Sequence, residues 1–218
     1  MKIIKKYEYK LSKETLDKDI EQFIKEARKG AYTQDYKYGM EGLKIIKQYF
    51  KLIQLEFDKG NFELCKSCYK KILFLLFEEG HEHSYFGYED IVGRSKLDFD
   101  KIIQNYFLCL IKLHPVNDLF NEYVEYLKAK QDYYFESAEM AIMEKLSDKD
   151  FANFKELLLV EAGKVKKDNY AMHDILTFLL DIAKKKESNE QKFMELAEKF
   201  SPVFCYSNLK EFLEDYEE

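Results

Sequence analysis

The sequence has no tryptophan and few of the residues that make tight turns. Among its 218 residues there are 8 Gly and 2 Pro. A β-sandwich or β-barrel needs many tight turns, and such turns depend heavily on these two residues. Their scarcity argues against an all-β fold and favours longer elements joined by short connections.

Long apolar runs and secretory features are also missing. The longest apolar run covers residues 72–77, whereas a membrane-spanning helix needs about 20 apolar residues. Residues 1–13 alternate Lys and Tyr around Ile3 and Ile4, unlike the apolar core of a signal peptide. Four cysteines without such a signal favour reduced thiols. We therefore expect a cytoplasmic protein without a membrane segment.

The charge balance is mildly acidic and uneven. The net charge is −6. Residues 1–60 hold 14 Lys and Arg against 10 Asp and Glu, a net of +4, and the remainder holds 21 against 31, a net of −10. Nucleic-acid binding requires a concentrated basic face, so this weak excess argues against a nucleic-acid partner. The run 184–186 of three lysines is typical of a helix C-terminus, where cations oppose the helix dipole.

Helix signals recur every fifteen to twenty residues along the chain. Ser12 can cap a first helix that Gly30 ends, and a second helix ends at Gly60. Apolar residues recur at helical spacing throughout, and nothing apart from residues 2–11 suggests a strand. The sequence predicts an all-α fold of about ten antiparallel helices in hairpins, as a short α-solenoid or a helical bundle. Further helices are predicted to begin near residues 61, 98, 117, 133, 147, 168 and 189 and after 202.

The chain has no linker rich in Ser, Gly or Pro. We therefore predict a single all-helical domain over residues 1–218. A soft boundary is expected near 114–117, where Pro115 ends one helix.

One predicted hairpin resembles a known repeat. Residues 60–62, Gly-Asn-Phe, are followed by Cys65 and Tyr69, and this pattern resembles the second half of a tetratricopeptide repeat. Tyr49 and Leu52 fall where that repeat places the aromatic residue and the leucine of its first helix. The match covers one repeat, about residues 44–78. It implies a protein-binding helical hairpin in which the small Cys65 lets two helices approach closely.

A second resemblance covers about residues 22–112. A helix ending at 27–30, an aromatic-rich link, two helices joined at 59–61 and a Gly-containing loop at 88–93 are similar to the helical region of some SWIM zinc-finger proteins. The ligands of the finger itself are missing. The resemblance implies a helical scaffold, and it keeps a regulatory module associated with DNA transactions as one alternative function.

Two patterns superficially suggest a metal site. Cys65 and Cys68 are followed by His81 and His83. A zinc ion needs its ligands within about 2.3 Å, whereas the helix between the pairs separates them by about 20 Å. Both cysteines also fall on the apolar stripe of their helix, so we expect them to be packing residues.

His173 and Asp174 form the dipeptide of all-helical HD-type phosphohydrolases. Those enzymes need a further His and a further Asp at the same ion. Here His114 lies directly before Pro115, and Asp181 lies inside a predicted helix with no metal-ligand neighbour in the sequence. We predict no catalytic residue, no metal and no cofactor. A metal-dependent hydrolase that uses His81, His83 or His173 stays as the other alternative function.

The connection from residue 80 to 96 is longer than a helical hairpin needs, and loops longer than about 12 residues are often functional. It contains two histidines and three aromatic residues among several carboxylates. We expect the aromatic residues to be at least partly exposed. The alternatives are a divalent-metal site or a plain connector whose aromatics fold back onto the helices. The predicted partner-binding residues are His81, His83, Tyr85, Phe86 and Tyr88.

The chain contains 17 Tyr and 18 Phe. Tyrosine suits half-exposed interfaces because it joins an apolar ring to a polar tip. Two clusters are dense enough to indicate such a surface or, alternatively, aromatic packing between helices: Tyr32, Tyr36 and Tyr38, and Tyr133, Tyr134 and Phe135. The leading hypothesis is a non-enzymatic helical-repeat adaptor or scaffold that binds a protein partner.

Overall fold

A computed structural model describes residues 13–33, 36–79, 84–87, 91–130 and 133–217. Within these ranges the regular elements are eleven α-helices, one 3-10 turn and one π-turn, so the predicted all-α fold is confirmed. The chain divides into two compact units, residues 1–97 and 98–218. No helix in the described ranges has the length and apolar character needed to cross a bilayer.

The described residues of the first unit form four helices. They are α1 (Lys13–Arg28), α2 (Tyr36–Asp58), α3 (Phe62–Glu78) and the short α4 (Ile91–Ser95). Helix α3 packs against both α1 and α2. Gly30 and Gly60 follow α1 and α2 with φ of 81° and 80°, a left-handed conformation that glycine adopts at little cost. The glycine stops predicted from the sequence are therefore confirmed.

Cys65 lies where α2 and α3 meet. Its side chain is fully buried, and its Sγ donates a hydrogen bond to the carbonyl of Ile53 on α2 at 3.5 Å. The thiol therefore occupies the close contact between the two helices that the repeat-like pattern predicts.

We expect Cys65→Phe to destabilise the first unit by about 1 to 3 kcal/mol, because the contact has no room for a larger side chain. Cys65→Ala should cost less than Cys65→Phe. Thermal melting of the two variants measures the difference. An unchanged melting temperature for Cys65→Phe would mean that the helices can separate at this point without loss.

In the second unit, the part that the structure describes forms seven helices. They are α5 (Phe99–Leu113), α6 (Val116–Lys130), α7 (Ser137–Lys145), α8 (Asp148–Ala162), α9 (His173–Asp181), α10 (Glu190–Phe200) and α11 (Leu209–Glu217). A 3-10 turn precedes α9, and a π-turn, Ile182–Lys186, continues it. The segment 114–117, where the sequence places a soft boundary, joins α5 to α6 inside this unit.

Each unit packs helices that are two places apart in the chain as well as sequence neighbours. Helix α1 contacts α3, α5 contacts α7, and α6 contacts α8. This alternation is typical of stacked helical hairpins, in which equivalent helices of successive hairpins lie side by side.

The core of the second unit is aromatic. The rings of Phe107, Tyr123, Phe154 and Phe178 form a chain of edge-on and tilted contacts with centroids 5.8 to 6.4 Å apart. Such geometry is favourable beyond the area it buries. The abundance of aromatic residues therefore serves packing here.

Candidate protein-binding groove

The structure places only part of the predicted binding loop. Residues 84–87 are described, whereas His81, His83 and Tyr88 lie outside the described residues. The fully buried carboxylate of Glu79 holds the described part. It accepts hydrogen bonds from the backbone N–H of Tyr85 and from that of Phe86, the latter at 3.1 Å. The loop is therefore fastened to the end of α3.

Phe86 is buried, with 1% of its surface exposed, so the expectation that its ring is exposed is wrong. The ring stacks on Phe23 at 6.1 Å and on Tyr32 at 5.9 Å. A Cβ added at Gly42 would come within 2.8 Å of the Phe86 ring, so that glycine makes room for it. Burial of the Phe86 ring in this position is more favourable than its exposure to solvent.

Tyr85 is half-buried. Its hydroxyl donates to Glu78 at 3.2 Å, and Glu78 also forms a two-pronged ion pair with Arg28 of α1 at 2.8 and 2.9 Å. The partner-binding role of Tyr85 stays a prediction.

The candidates for metal chemistry have structural contacts. Cys65 and Cys68 are both fully buried on α3, and burial raises the pKa of the Cys68 thiol. In the ranges that the structure describes, no group of three His, Cys, Asp or Glu side chains is placed to hold a metal ion.

His173 and Asp174 on α9 contact different parts of the protein. The Nε2 of His173 lies 3.2 Å from the carbonyl of Lys166, and its ring contacts Phe204. The carboxylate of Asp174 forms an ion pair with Lys130 of α6 at 2.7 Å.

The three lysines of the π-turn are engaged within the protein. Lys184 lies 5.0 Å above the ring of Phe193, Lys185 pairs with Asp181 at 3.1 Å, and Lys186 donates to the carbonyl of Met143 at 2.5 Å. Their position at the end of α9 agrees with the sequence-based interpretation of a helix C-terminus.

The second unit carries an open groove where the N-terminal ends of α5 and α7 meet. Its volume is about 630 Å³. The segment 133–136 between α6 and α7 contributes aromatic side chains to it. Tyr134 is 67% exposed and Met140 is 45% exposed, so both present apolar surface to solvent. The groove is lined by Asp98, Asp100, Lys101, Gln104, Tyr134, Phe135, Glu136, Ser137 and Met140.

Aromatic packing fixes one wall of the groove. The ring of Phe135 stacks on Phe99 at 5.8 Å and on Tyr133 at 6.3 Å. Phe99 is buried and begins α5, so Phe135 ties the connecting segment to the core. The exposed ring of Tyr134 is thereby held between two anchored neighbours.

Buried polar groups also hold the segment 133–136 in place. Lys130 is only 2% exposed, and its ammonium donates to the carbonyl of Tyr133 at 2.9 Å while it pairs with Asp174. The hydroxyl of Ser137 donates to Asp100, which links α7 to α5. Burying an ammonium is costly unless it is paired and hydrogen-bonded. The contacts of Lys130 therefore favour one position of the segment 133–136.

One ionisable group behind the groove has a strongly shifted pKa. Glu139, on the first turn of α7, is 7% exposed and accepts a hydrogen bond from the hydroxyl of Tyr123 at 2.7 Å. Burial raises the pKa of Glu139 from 4.5 to about 7, although Tyr123 and the charge of Lys130 partly oppose the shift. Its second oxygen, Oε2, has no hydrogen-bond partner among the described residues.

The sequence identified the aromatic part of this groove but not its acidic part. Tyr133, Tyr134 and Phe135 form one of the two aromatic clusters predicted to make either an interface or packing. Tyr134 is exposed and the other two rings are partly buried, so packing accounts for part of the cluster and the interface role stays a prediction. In the other cluster, Tyr32 is buried and the side chains of Tyr36 and Tyr38 lie outside those that the structure describes.

Comparison with known proteins finds no family model that matches the chain, no matching curated protein and no matching solved structure. The tetratricopeptide and SWIM resemblances therefore stay predictions.

Proposed function

We propose that this chain is a non-enzymatic helical scaffold that binds a protein partner through the groove between α5 and α7. The observation that carries the proposal is the exposure of Tyr134 and Met140 inside a concave surface. Tyrosine and methionine are both enriched at protein interfaces, where a large apolar side chain must tolerate water before the partner binds.

The framework around the groove supports this proposal. Phe135 and Lys130 hold the segment 133–136 in place before any partner arrives. A preformed surface loses less conformational entropy on binding than a mobile one. The stacked packing of α5 with α7 and of α6 with α8 provides the rigid support that helical-hairpin arrays use to present a binding face.

The proposal places the binding in the cytoplasm. The described cysteines form no disulfide bond, and Cys65, Cys68 and Cys109 are buried. Buried cysteines in the thiol form suit a reducing compartment.

The double variant Tyr134→Ser and Met140→Ser should remove the apolar surface of the groove and abolish partner binding. Both side chains are substantially exposed, so the variant should melt within a few degrees of the native protein. The matched control is Leu159→Ser with Val160→Ser, which removes exposed apolar surface from α8 of the same unit; these side chains are 42% and 63% exposed.

The test is affinity capture from extracts of the native cell with the three proteins side by side. A photo-crosslinking residue at position 140 then shows whether the captured protein touches the groove. We expect one partner that is retained by the native chain and by the control and lost by the groove variant. Equal retention by all three proteins would overturn the assignment of the groove as the binding site.

A further inference from the structure

We infer that the segment bound in this groove carries a Lys or Arg beside an apolar side chain. The inference rests on the proposed protein-binding function and adds the chemistry of the partner. It follows from the charges at the rim of the groove and from the apolar surface beside them.

The rim carries exposed carboxylates that have no counter-ion among the described residues. Asp98 and Asp100 are both exposed. Asp98 accepts a hydrogen bond from the backbone N–H of Lys101 at 3.0 Å, and Asp100 accepts one from Ser137. Neither carboxylate forms an ion pair with any residue in the described ranges. By contrast, Glu136 at the same groove faces Lys185 at 3.6 Å.

The charge balance of the groove and of the unit favours a cationic ligand. Three carboxylates line the groove, of which Glu136 is paired with Lys185, and the lining itself contributes one ammonium, that of Lys101. The positive end of the α5 dipole is already offset by Asp98, its capping residue. Residues 98–218 hold 16 Lys and Arg against 25 Asp and Glu, a net of −9. Such a surface attracts basic segments and repels phosphate groups.

The apolar surface suits the stem of a basic side chain. Lys and Arg lay their methylene groups along apolar surface while the charged head reaches a polar partner. The exposed ring of Tyr134 can also receive a cation over its face. Tyr134 and Met140 then contact both the stem and the neighbouring apolar residue, while Asp98 and Asp100 take the charge.

Synthetic helical peptides test the inference. The probe is a fluorescein-labelled peptide of about 14 residues with Leu on one face and Lys on the other, a length at which such helices become stable. Two comparison peptides replace every Lys by Glu or every Leu by Ser. Fluorescence anisotropy at about 0.15 M salt measures binding while it screens long-range attraction.

Two charge variants distinguish attraction of the peptide by the rim carboxylates from attraction by the net charge of the protein. Asp98→Asn with Asp100→Asn removes the carboxylates of the rim. Asp168→Asn with Glu198→Gln makes the same change of net charge at exposed positions outside the groove. We expect the rim variant to bind the Leu and Lys peptide about five- to tenfold more weakly than the native protein, and the control to bind within about twofold.

The outcomes are distinct. Equal weakening by both charge variants, comparable binding of the Leu and Glu peptide, or no binding of the Leu and Lys peptide would each overturn the basic-partner inference. The proposed function itself fails only when the capture experiment finds no partner that depends on Tyr134 and Met140. Weaker peptide binding by the Tyr134→Ser and Met140→Ser variant and by the rim variant, with near-native binding by the charge control, supports the basic-partner inference.

Discussion

Replacing Phe86 by alanine should lower the free energy of unfolding by about 3 to 5 kcal/mol, the range found when a buried aromatic ring is removed. The ring is 1% exposed and stacks on Phe23 and Tyr32. Its neighbour Gly42 lies on α2 and has no side chain to fill the space. Urea denaturation of the two proteins measures the loss.

Tyr85→Ala is the matched control one residue away. Tyr85 is half-buried, and its hydroxyl donates a hydrogen bond to the partly exposed Glu78. We expect a loss of about 1 kcal/mol or less. Small and equal losses for both variants would contradict the packing of Phe86 and restore the expectation that this loop presents its aromatic rings to a partner.

Glu139→Gln should make the second unit less sensitive to pH between about 5 and 8. The pKa of Glu139 is raised by burial from 4.5 to about 7 in the folded protein. A raised carboxyl pKa contributes stability that is complete below 4.5 and is lost as the pH rises through 7, because ionisation then favours unfolding. A shift of this size corresponds to about 3 kcal/mol. Glutamine stays neutral and can still accept the hydrogen bond from Tyr123.

The free energy of unfolding is measured against pH for the native protein and for Glu139→Gln. The difference between the two curves gives the contribution of Glu139, since all other groups titrate in both proteins. We expect the variant and the native protein to have similar stability near pH 5 and the variant to be the more stable one near pH 8. The charged and titratable groups that face Glu139 are Tyr123, Tyr126 and Lys130 of α6 and Asp174 of α9. The control is Glu122→Gln, since Glu122 also accepts a tyrosine hydrogen bond, at 3.0 Å from Tyr106, but is only half-buried. Parallel curves for the native protein and Glu139→Gln would show that Glu139 is ionised in the folded protein at both pH values.

The helices could be predicted because their signals are local. Asp98 and Ser147 cap α5 and α8 through the backbone N–H three residues later, and Gly30 and Gly60 end α1 and α2. Each of these effects operates within one turn of helix. The sequence therefore contains them without any knowledge of the tertiary structure.

The destination of Phe86 could not be predicted in the same way. Its burial depends on the space left by Gly42 on a different helix and on the anchoring of the loop by Glu79. A mixture of aromatic and charged residues in a long loop is compatible with either exposure or burial. The tertiary contacts alone decide between them.

The groove could be predicted from the sequence only in part. The aromatic density at 133–135 indicated either an interface or packing, and the structure shows the exposed ring. Asp98 and Asp100 gave only a helix-start signal, because their proximity to that segment arises from the packing of α7 on α5. A site assembled from two distant segments is visible in the sequence only in its separate parts.

Mutations at Lys130 should affect partner binding, although this residue does not contact the partner. Its ammonium is out of reach of any partner, yet it holds the Tyr133 carbonyl and Asp174 together. We expect loss of this side chain to weaken the attachment of the segment that carries Tyr134 while the contact residues themselves stay unchanged. In a screen for lost interaction, substitutions at position 130 should therefore appear alongside those at 134 and 140. Second-site suppressors should arise inside the protein, at Asp174, and not in the partner.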